Sequence, residues 1–375
     1  MPNIAIVGTG FVADLYMPSL KTFPDIRIVA VWDRDPARLA AFATHWGLTP
    51  AGSLDALLGG APDLVLNLTN PGSHYDVSRA ALEAGCHVWS EKPLAMDMAD
   101  AQALIALAAA RGLHIGSAPC SVLSEVAQTA WAALRDGRIG KPRLVYAELD
   151  DDFIPQAPYA KWISESGAPW PAVDEFQVGC TLEHAGYYLT WLMAMFGPVA
   201  TVVSASAKLL DTDAITGGTS APDYSSASLF FESGMVARLT CSIIAPHDHA
   251  MRIFGDEGVI EIGECWSNTA PVKIRRRHVI RRRLINSPIA RKVRLKSGPT
   301  HPTVGRRGAA SMNFALGPAE MLDAVAAGRS PRLAGDFALH LTEVSLAIQA
   351  AGETAGAQQM TTRFDPIAPM EWARL

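Results

Sequence analysis

The sequence predicts an α/β protein whose N-terminal part is a parallel β-sheet covered by helices on both faces. Three observations carry this expectation. Over roughly the first 120 residues, near-continuous apolar runs alternate with helical stretches of about 10–15 residues. A glycine turn follows the first run and opens a helix. At 375 residues, the chain is long enough for two domains with substantial cores.

The elements follow in order. "NIAIVGTGFVADLYMPSL" is an apolar run, a glycine turn and an amphipathic helical pattern. "IRIVAVWD" is a second run, followed by the helical "PARLAAFATHWG". "DLVLNLTN" is a third, followed by a helix through "HYDVSRAALEAG". Then come "HVWSEKP", a helix through "ADAQALIALAAARG", and "LHIGSAP". Ligands of such sheets bind at the carboxyl ends of the strands, which draws attention to Lys92 at the end of "HVWSEKP".

Composition bounds the function classes. A net charge of −5 and 49% hydrophobic residues describe a globular chain and favour no partner class. No apolar run approaches the roughly 18–20 residues that span a bilayer, and the N-terminus goes straight into structure without a basic, cleavable leader. Five widely spaced cysteines without a CxxC pair fit reduced thiols in a cytoplasm and argue against a zinc site.

Gly8-Thr9-Gly10-Phe11-Val12-Ala13 has the GxGxxA form of a dinucleotide-binding turn. Gly8 allows the tight turn and Gly10 lets the backbone approach a pyrophosphate. Ala13 keeps the helix close to the strand, and that helix's N-terminus faces the phosphates. Asp33 ends the second strand, where an acid binds ribose hydroxyls. It favours NAD by repelling a 2′-phosphate, while Arg34 beside it leaves NADP open.

With that turn in place, "LTNPGSH" and "SEKPLA" give the chain a recognisable pattern. It resembles the glucose–fructose oxidoreductase / inositol dehydrogenase (Gfo/Idh/MocA) family, whose signature is Glu91-Lys92-Pro93. Thr69, Asn70 and His74 keep the spacing of that family's Thr-Pro-Asn-x-x-His segment, with the inner pair exchanged to Asn70-Pro71. "GDEGVIEI" and the helical stretch 317–351 are similar to its second-domain hairpin and terminal helices.

The resemblance implies a dinucleotide-binding Rossmann domain (1–121) and an α+β domain (122–375) with an open, mostly antiparallel sheet. It further implies a homo-oligomer, dimer or tetramer, joined through that sheet, a carbohydrate-type substrate and no metal. Thr69, Asn70, His74, Glu91 and Lys92 fall on its cofactor side, with Lys92 also beside the substrate hydroxyl. Removing hydride from a secondary alcohol requires the hydroxyl proton to leave as well, so an acid/base group must stand there. An ordinary lysine, at about 10.4, is a poor base at neutral pH. Desolvation and a nicotinamide cation both favour the neutral amine. The plainer reading of Lys92 is a salt bridge to Glu91.

The family's second domain carries Asp-x-x-x-His on a helix. In "VGCTLEHAGYYLTWLMAMFGPV" (178–199) an ungapped register puts those slots on Glu183 and Tyr187, one turn apart. A one-residue slip chooses His184 and Tyr188 instead. In the first register a Tyr187 phenol beside Lys92 would move the proton. The alternative is that both tyrosines are core aromatics of an apolar helix.

Other features are weaker. "HDH" (247–249) has spacing a metal could use, yet it sits where a strand turns, so it reads as a polar turn. Trp162 and Trp170 flank a loop suited to stacking on a sugar or closing over the site. Residues 265–319 hold 13 bases and no acid, leaving 19 of the 32 bases against all 37 acids elsewhere. That stretch reads as a solvated strand pair neutralised by a neighbouring subunit. The other readings are an anionic substrate, or docking of 273–296 to an anionic membrane surface. No nucleic-acid recognition module accompanies it. Three functions remain open: a dehydrogenase or reductase of sugars or cyclitols, an NAD-dependent glycoside hydrolase of the same fold, and a non-catalytic NAD(P) sensor.

Overall fold

The computed structural model describes residues 1–298, 300, 304 and 308–375. The first domain runs β1 (Asn3–Val7), α1 (Phe11–Leu20), β2 (Arg27–Trp32), α2 (Pro36–Trp46), α3 (Leu54–Gly59), β3 (Leu64–Asn67), α4 (His74–Glu83), β4 (His87–Ser90), α5 (Met98–Ala110) and β5 (Ile115–Ser117). Its strands pair in parallel in the order β2-β1-β3-β4-β5. The continuous apolar runs have their cause in two cores. Ile4, Ile6, Leu64 and Leu66 belong to one, and Ala5, Val7, Val65 and Val88 to the other, on the opposite face. Helix starts follow local chemistry: the Asp35 carboxylate caps α2 ahead of Pro36, and Asp97 caps α5.

The second domain continues with α6 (Glu125–Arg135), β6 (Pro142–Asp150), α7 (Ala172–Val178), a π-helical turn (Thr181–Ala185) and α8 (Gly186–Phe196). It then runs β7 (Val199–Ala207), α9 (Asp213–Thr216), β8 (Tyr224–Phe231), β9 (Val236–Ser242), β10 (Met251–Gly255), β11 (Gly258–Ile262), β12 (Lys273–Ile280), β13 (Arg283–Asn286) and β14 (Arg291–Lys292). Helices α10 (Leu316–Ala326) and α11 (Asp336–Gln349) and strand β15 (Ala357–Gln359) close the chain.

The sheet order is β13-β12-β11-β10-β6-β9-β8-β7-β15, with β14 on β12. Neighbours are antiparallel except for the parallel β6–β9 pair. Burial alternates along β6 and β8, as expected of a sheet covered on one face.

The first sheet's last strand ends at Ser117, and α6 begins at Glu125. Yet α10 and α11 return to the first domain. A Cβ on Gly317 would lie 2.2 Å from the Trp89 indole, and Ala338 joins the core of Val7, Val65 and Val88. The Trp89 Nε1–H donates to the Tyr16 hydroxyl at 3.1 Å, and that hydroxyl donates to Glu91 Oε1 at 2.7 Å. The strand end carrying Lys92 is therefore backed by buried aromatics.

Candidate active site

The turn after β1 is built as a dinucleotide turn requires. Gly8 has φ 92°, and a Cβ there would lie 2.6 Å from the Leu68 and Thr69 backbone, so no other residue fits. Gly10 faces open space within 4 Å of where its Cβ would be. It starts α1 with no side-chain cap, which leaves the N–H groups of Phe11 and Val12 for an anion, while Ala13 N donates to Gly10 O at 3.2 Å. Thr9 is fully buried, and both its N–H and its hydroxyl donate to Asp33 Oδ2 at 2.7 and 2.9 Å. Thr9 thus positions Asp33, and Phe11 and Val12 begin the helix half-buried. Arg34 stands exposed at the same strand end. These residues fit a bound dinucleotide.

The segment after β3 serves mainly to shape the site. Thr69 Oγ1 donates to Asn67 Oδ1, and Asn70 Nδ2 reaches Asp174 Oδ1 at 3.5 Å in α7. His74 is fully buried, with Nδ1 2.6 Å from Pro93 O and Nε2 3.0 Å from Thr69 O. Both ring nitrogens face backbone carbonyls, of which a neutral ring can donate to one, so His74 sits as a tie between the β3 and β4 loops. Burial, outweighing those hydrogen bonds, pulls its imidazole below the usual value.

Lys92 does not salt-bridge to Glu91. Its ammonium contacts the Glu183 carboxylate, which the π-helical turn brings across from the second domain. Glu91 is held by Tyr16, and Lys92 N donates to its Oε2 at 3.3 Å.

The pairing expected between Tyr187 and Lys92 is not formed. Tyr187 stacks edge-on to Trp266 and lines a pocket with Tyr16, Glu91, Pro119, Asn268 and Phe314. Burial first, and Glu91 second, push its phenol well above the ordinary value, opposite to the lowering that a lysine neighbour would give. Glu183, in the π-helical turn, meets Lys92, while Tyr187, at the start of α8, turns its ring to Trp266. Tyr188 is a core aromatic whose hydroxyl donates to His249 O at 2.5 Å.

His184, one residue after Glu183, faces Asp151, with Nε2 to Oδ2 at 3.5 Å. Burial pulls its imidazole down to about 4, against an opposing pull from Asp151. Around it lie groups that sequence reasoning did not single out: Asp151 after β6, and Glu264 and Trp266 after β11. His247 and His249, read as a solvated turn, are part of this cluster, and the His249 side chain is fully buried. Burial raises the Glu264 carboxyl, but hydrogen bonds from His249, Trp266 N and His247 outweigh it and bring it to about 2.

The loop carrying Trp162 and Trp170 reaches the first domain. Asp14 of α1 accepts from the hydroxyls of Ser164 and Ser166, the latter at 2.7 Å, and from Trp46 Nε1 at 2.6 Å. The two tryptophans pack on one another with ring centroids 5.2 Å apart. Of the basic stretch, Arg275 pairs with Glu261 and Arg276 with Glu257, so the chain neutralises part of that charge itself. Arg306 and Arg307 lie outside the described residues. All five cysteines are free and buried, and among the described residues no helix is long and apolar enough to cross a membrane.

Residues 2–117 match the family model described as "Oxidoreductase family, NAD-binding Rossmann fold", and residues 127–261 match the "GFO/IDH/MocA C-terminal domain". The chain belongs to the Gfo/Idh/MocA family. Its first domain is that family's NAD-binding fold.

Among relatives, a dTDP-3,4-didehydro-2,6-dideoxy-alpha-D-glucose 3-reductase of Streptomyces antibioticus is 36% identical over 35% of this chain and 40% of its own length. A D-apiose dehydrogenase of Paraburkholderia graminis is 27% identical over 64% of this chain and 60% of its own length. The chain spans about half the length of these curated relatives. The WlbA dehydrogenase of Bordetella pertussis, solved with NADH and UDP-GlcNAcA, superposes with a TM-score of 0.71 at 18% identity, covering 96% of this chain and 98% of that one. At that identity the likeness shows the fold shared across the Gfo/Idh/MocA family.

Proposed function

We propose that this Gfo/Idh/MocA chain moves hydride between NAD(P) and a secondary alcohol or ketone of a sugar, cyclitol or sugar derivative. The observation that carries the reading is the Lys92–Glu183 pair. It sets an amine at the carboxyl end of β4, where parallel sheets bind their ligands, and holds it with a carboxylate from the second domain. Bound NAD supplies the hydride acceptor. In its neutral form Lys92 takes the hydroxyl proton as hydride leaves, becoming the ammonium, and returns that proton in the reverse direction. Glu183 balances the ammonium, while His184 and Asp151 form the adjoining wall. Asp33, fixed by Thr9, favours NAD over NADP. The names of the reductase and dehydrogenase relatives support a carbohydrate-type substrate.

The chain works as a homo-oligomer joined through the outer face of the second sheet, where Val203 and Phe230 are exposed. The test is a screen of sugars, polyols and sugar nucleotides with NAD and with NADP, following absorbance of the reduced cofactor. Turnover with at least one carbohydrate alcohol or ketone is expected. A cofactor that binds yet is never reduced or oxidised by any of them would overturn the reading.

A further inference from the structure

We propose that Asp151, His247 and His249 bind one divalent transition-metal ion of the zinc type, with Glu264 orienting the two imidazoles. One ligand atom from each of the three lies within 4.8 Å of the others. His247 Nδ1 is 3.7 Å and His249 Nε2 is 3.9 Å from the same oxygen, Asp151 Oδ1. Ligands about 2.0–2.2 Å from a tetrahedral ion sit roughly 3.4 Å from one another. The two distances to Asp151 Oδ1 therefore lie within a few tenths of an ångström of that spacing.

Hydrogen bonding on the far side of each ring fixes which nitrogen carries the lone pair. Glu264 Oε2 lies 3.1 Å from His247 Nε2, and Glu264 Oε1 lies 3.0 Å from His249 Nδ1. An ionised carboxylate only accepts, so both rings turn their N–H toward Glu264. The lone pairs are left on His247 Nδ1 and His249 Nε2, the two atoms that face Asp151. A carboxylate behind a ligating histidine is a recurrent support of metal sites, because it sets both tautomer and ring orientation. Glu264 is itself fixed by Trp266 N, which donates to Oε1 at 2.9 Å, and the Trp266 ring packs against His249 with centroids 4.3 Å apart.

An independent observation points the same way. His249 has a fully buried side chain, and its Nε2 has no hydrogen-bond partner among the described residues. Buried polar atoms are rarely left so, and coordination satisfies this one. Two imidazoles and one carboxylate suit zinc and its neighbours, whereas magnesium and calcium prefer all-oxygen sets.

Three protein ligands leave one tetrahedral position for a water or a substrate oxygen. The second oxygen of Asp151 lies 3.5 Å from His184 Nε2, next in sequence to the Glu183 that holds Lys92. The ion would therefore sit in the wall of the candidate active site, and the inference stands whether or not hydride transfer is the reaction there.

The test uses untagged full-length protein, stripped with EDTA and titrated with Zn²⁺ by calorimetry, with Co²⁺ absorbance reporting coordination geometry. One Zn²⁺ per chain at micromolar affinity or tighter is expected, with the visible Co²⁺ bands of a tetrahedral site. Asp151→Asn and His247→Ala, both at partly exposed positions, should each weaken Zn²⁺ at least tenfold. Glu264→Gln should weaken it by roughly 10–100-fold, the scale of a lost orienting partner. No saturable Zn²⁺ binding, or equal affinity in all three variants and the parent, would overturn the proposal.

Discussion

Lys92 and Glu183, 91 positions apart, meet as an ion pair across the two domains. Lys92 comes from the end of a parallel strand and Glu183 from a π-helical turn. Neither fold alone holds both charges. Removing one partner leaves the other largely desolvated, which typically costs about 3–5 kcal/mol. Lys92→Met is therefore expected to lower the melting temperature as well as turnover. Turnover should fall by roughly 10²–10⁴, the usual scale of a lost acid/base group, with NAD affinity held within a few-fold. Glu183→Gln, which keeps the shape and one acceptor but removes the counter-charge, should lose less stability than Lys92→Met and still lower the rate. Parent-like turnover in Lys92→Met would place the chemistry elsewhere.

Tyr187 offers a sharper contrast. Its ring packs on Trp266, and its hydroxyl makes no hydrogen bond to Lys92. Tyr187→Phe should leave kcat and KM within a few-fold of the parent. His184→Ala should cost more, because His184 contacts Asp151 in the cleft wall. Steady-state kinetics of the two variants decide, and a large loss in Tyr187→Phe with a silent His184→Ala would restore the phenol.

The Asp33 carboxylate at the end of β2 accepts from both the N–H and the hydroxyl of Thr9. Asp33→Ala should weaken NAD and narrow the gap to NADP, with Arg34 free to take a 2′-phosphate. Calorimetry on both cofactors measures this. Tighter binding of NADP than NAD by the unaltered protein would contradict the preference.

His340 of α11 makes stability depend on pH. Burial pulls its imidazole down to about 4, and its Nε2 accepts from Val199 N at 3.0 Å. Glu343 on its own helix, Glu232 after β8 and Arg363 of the C-terminal segment are the charged groups around it. The folded value lies below the unfolded one, so between about pH 4 and 6.5 the unfolded chain binds more protons. Stability is full above about 6.5 and falls as pH drops through that window, by up to about 3 kcal/mol. Denaturant titrations from pH 4.5 to 7 should show the parent losing stability toward acid more steeply than His340→Gln. Equal slopes would refute it.

The first domain was legible because its signals are local. Alternating runs mark the strands of a doubly covered sheet, and Gly8, Gly10 and Asp33 lie within one βαβ unit. Lys92 was legible from its place at a strand end. Two features were not. Glu183 meets Lys92, as the ungapped register expects, but the π-helical turn at Thr181–Ala185 depends on backbone bonding that side-chain spacing does not encode, and the turning of Tyr187 to Trp266 was not legible. The His247–His249 cluster needs Asp151, which an antiparallel bridge between Asp150 and Asp248 brings alongside, and Glu264 from beyond β11. Such meetings are set by sheet register, which "HDH" alone does not carry.

The return of α10 and α11 to the first domain also sets an order of assembly. Ser19 and Met312, 293 positions apart, share a hydrogen bond, and Gly317 lies against Trp89. A nascent first domain leaves the ribosome with that indole uncovered, and contacts of such long range close slowly. The dinucleotide turn, tied by Thr9 to Asp33, can form while synthesis is under way. Trp89, three positions before Lys92, is covered only once residues 312–345 emerge, so the packing behind that strand end is completed last.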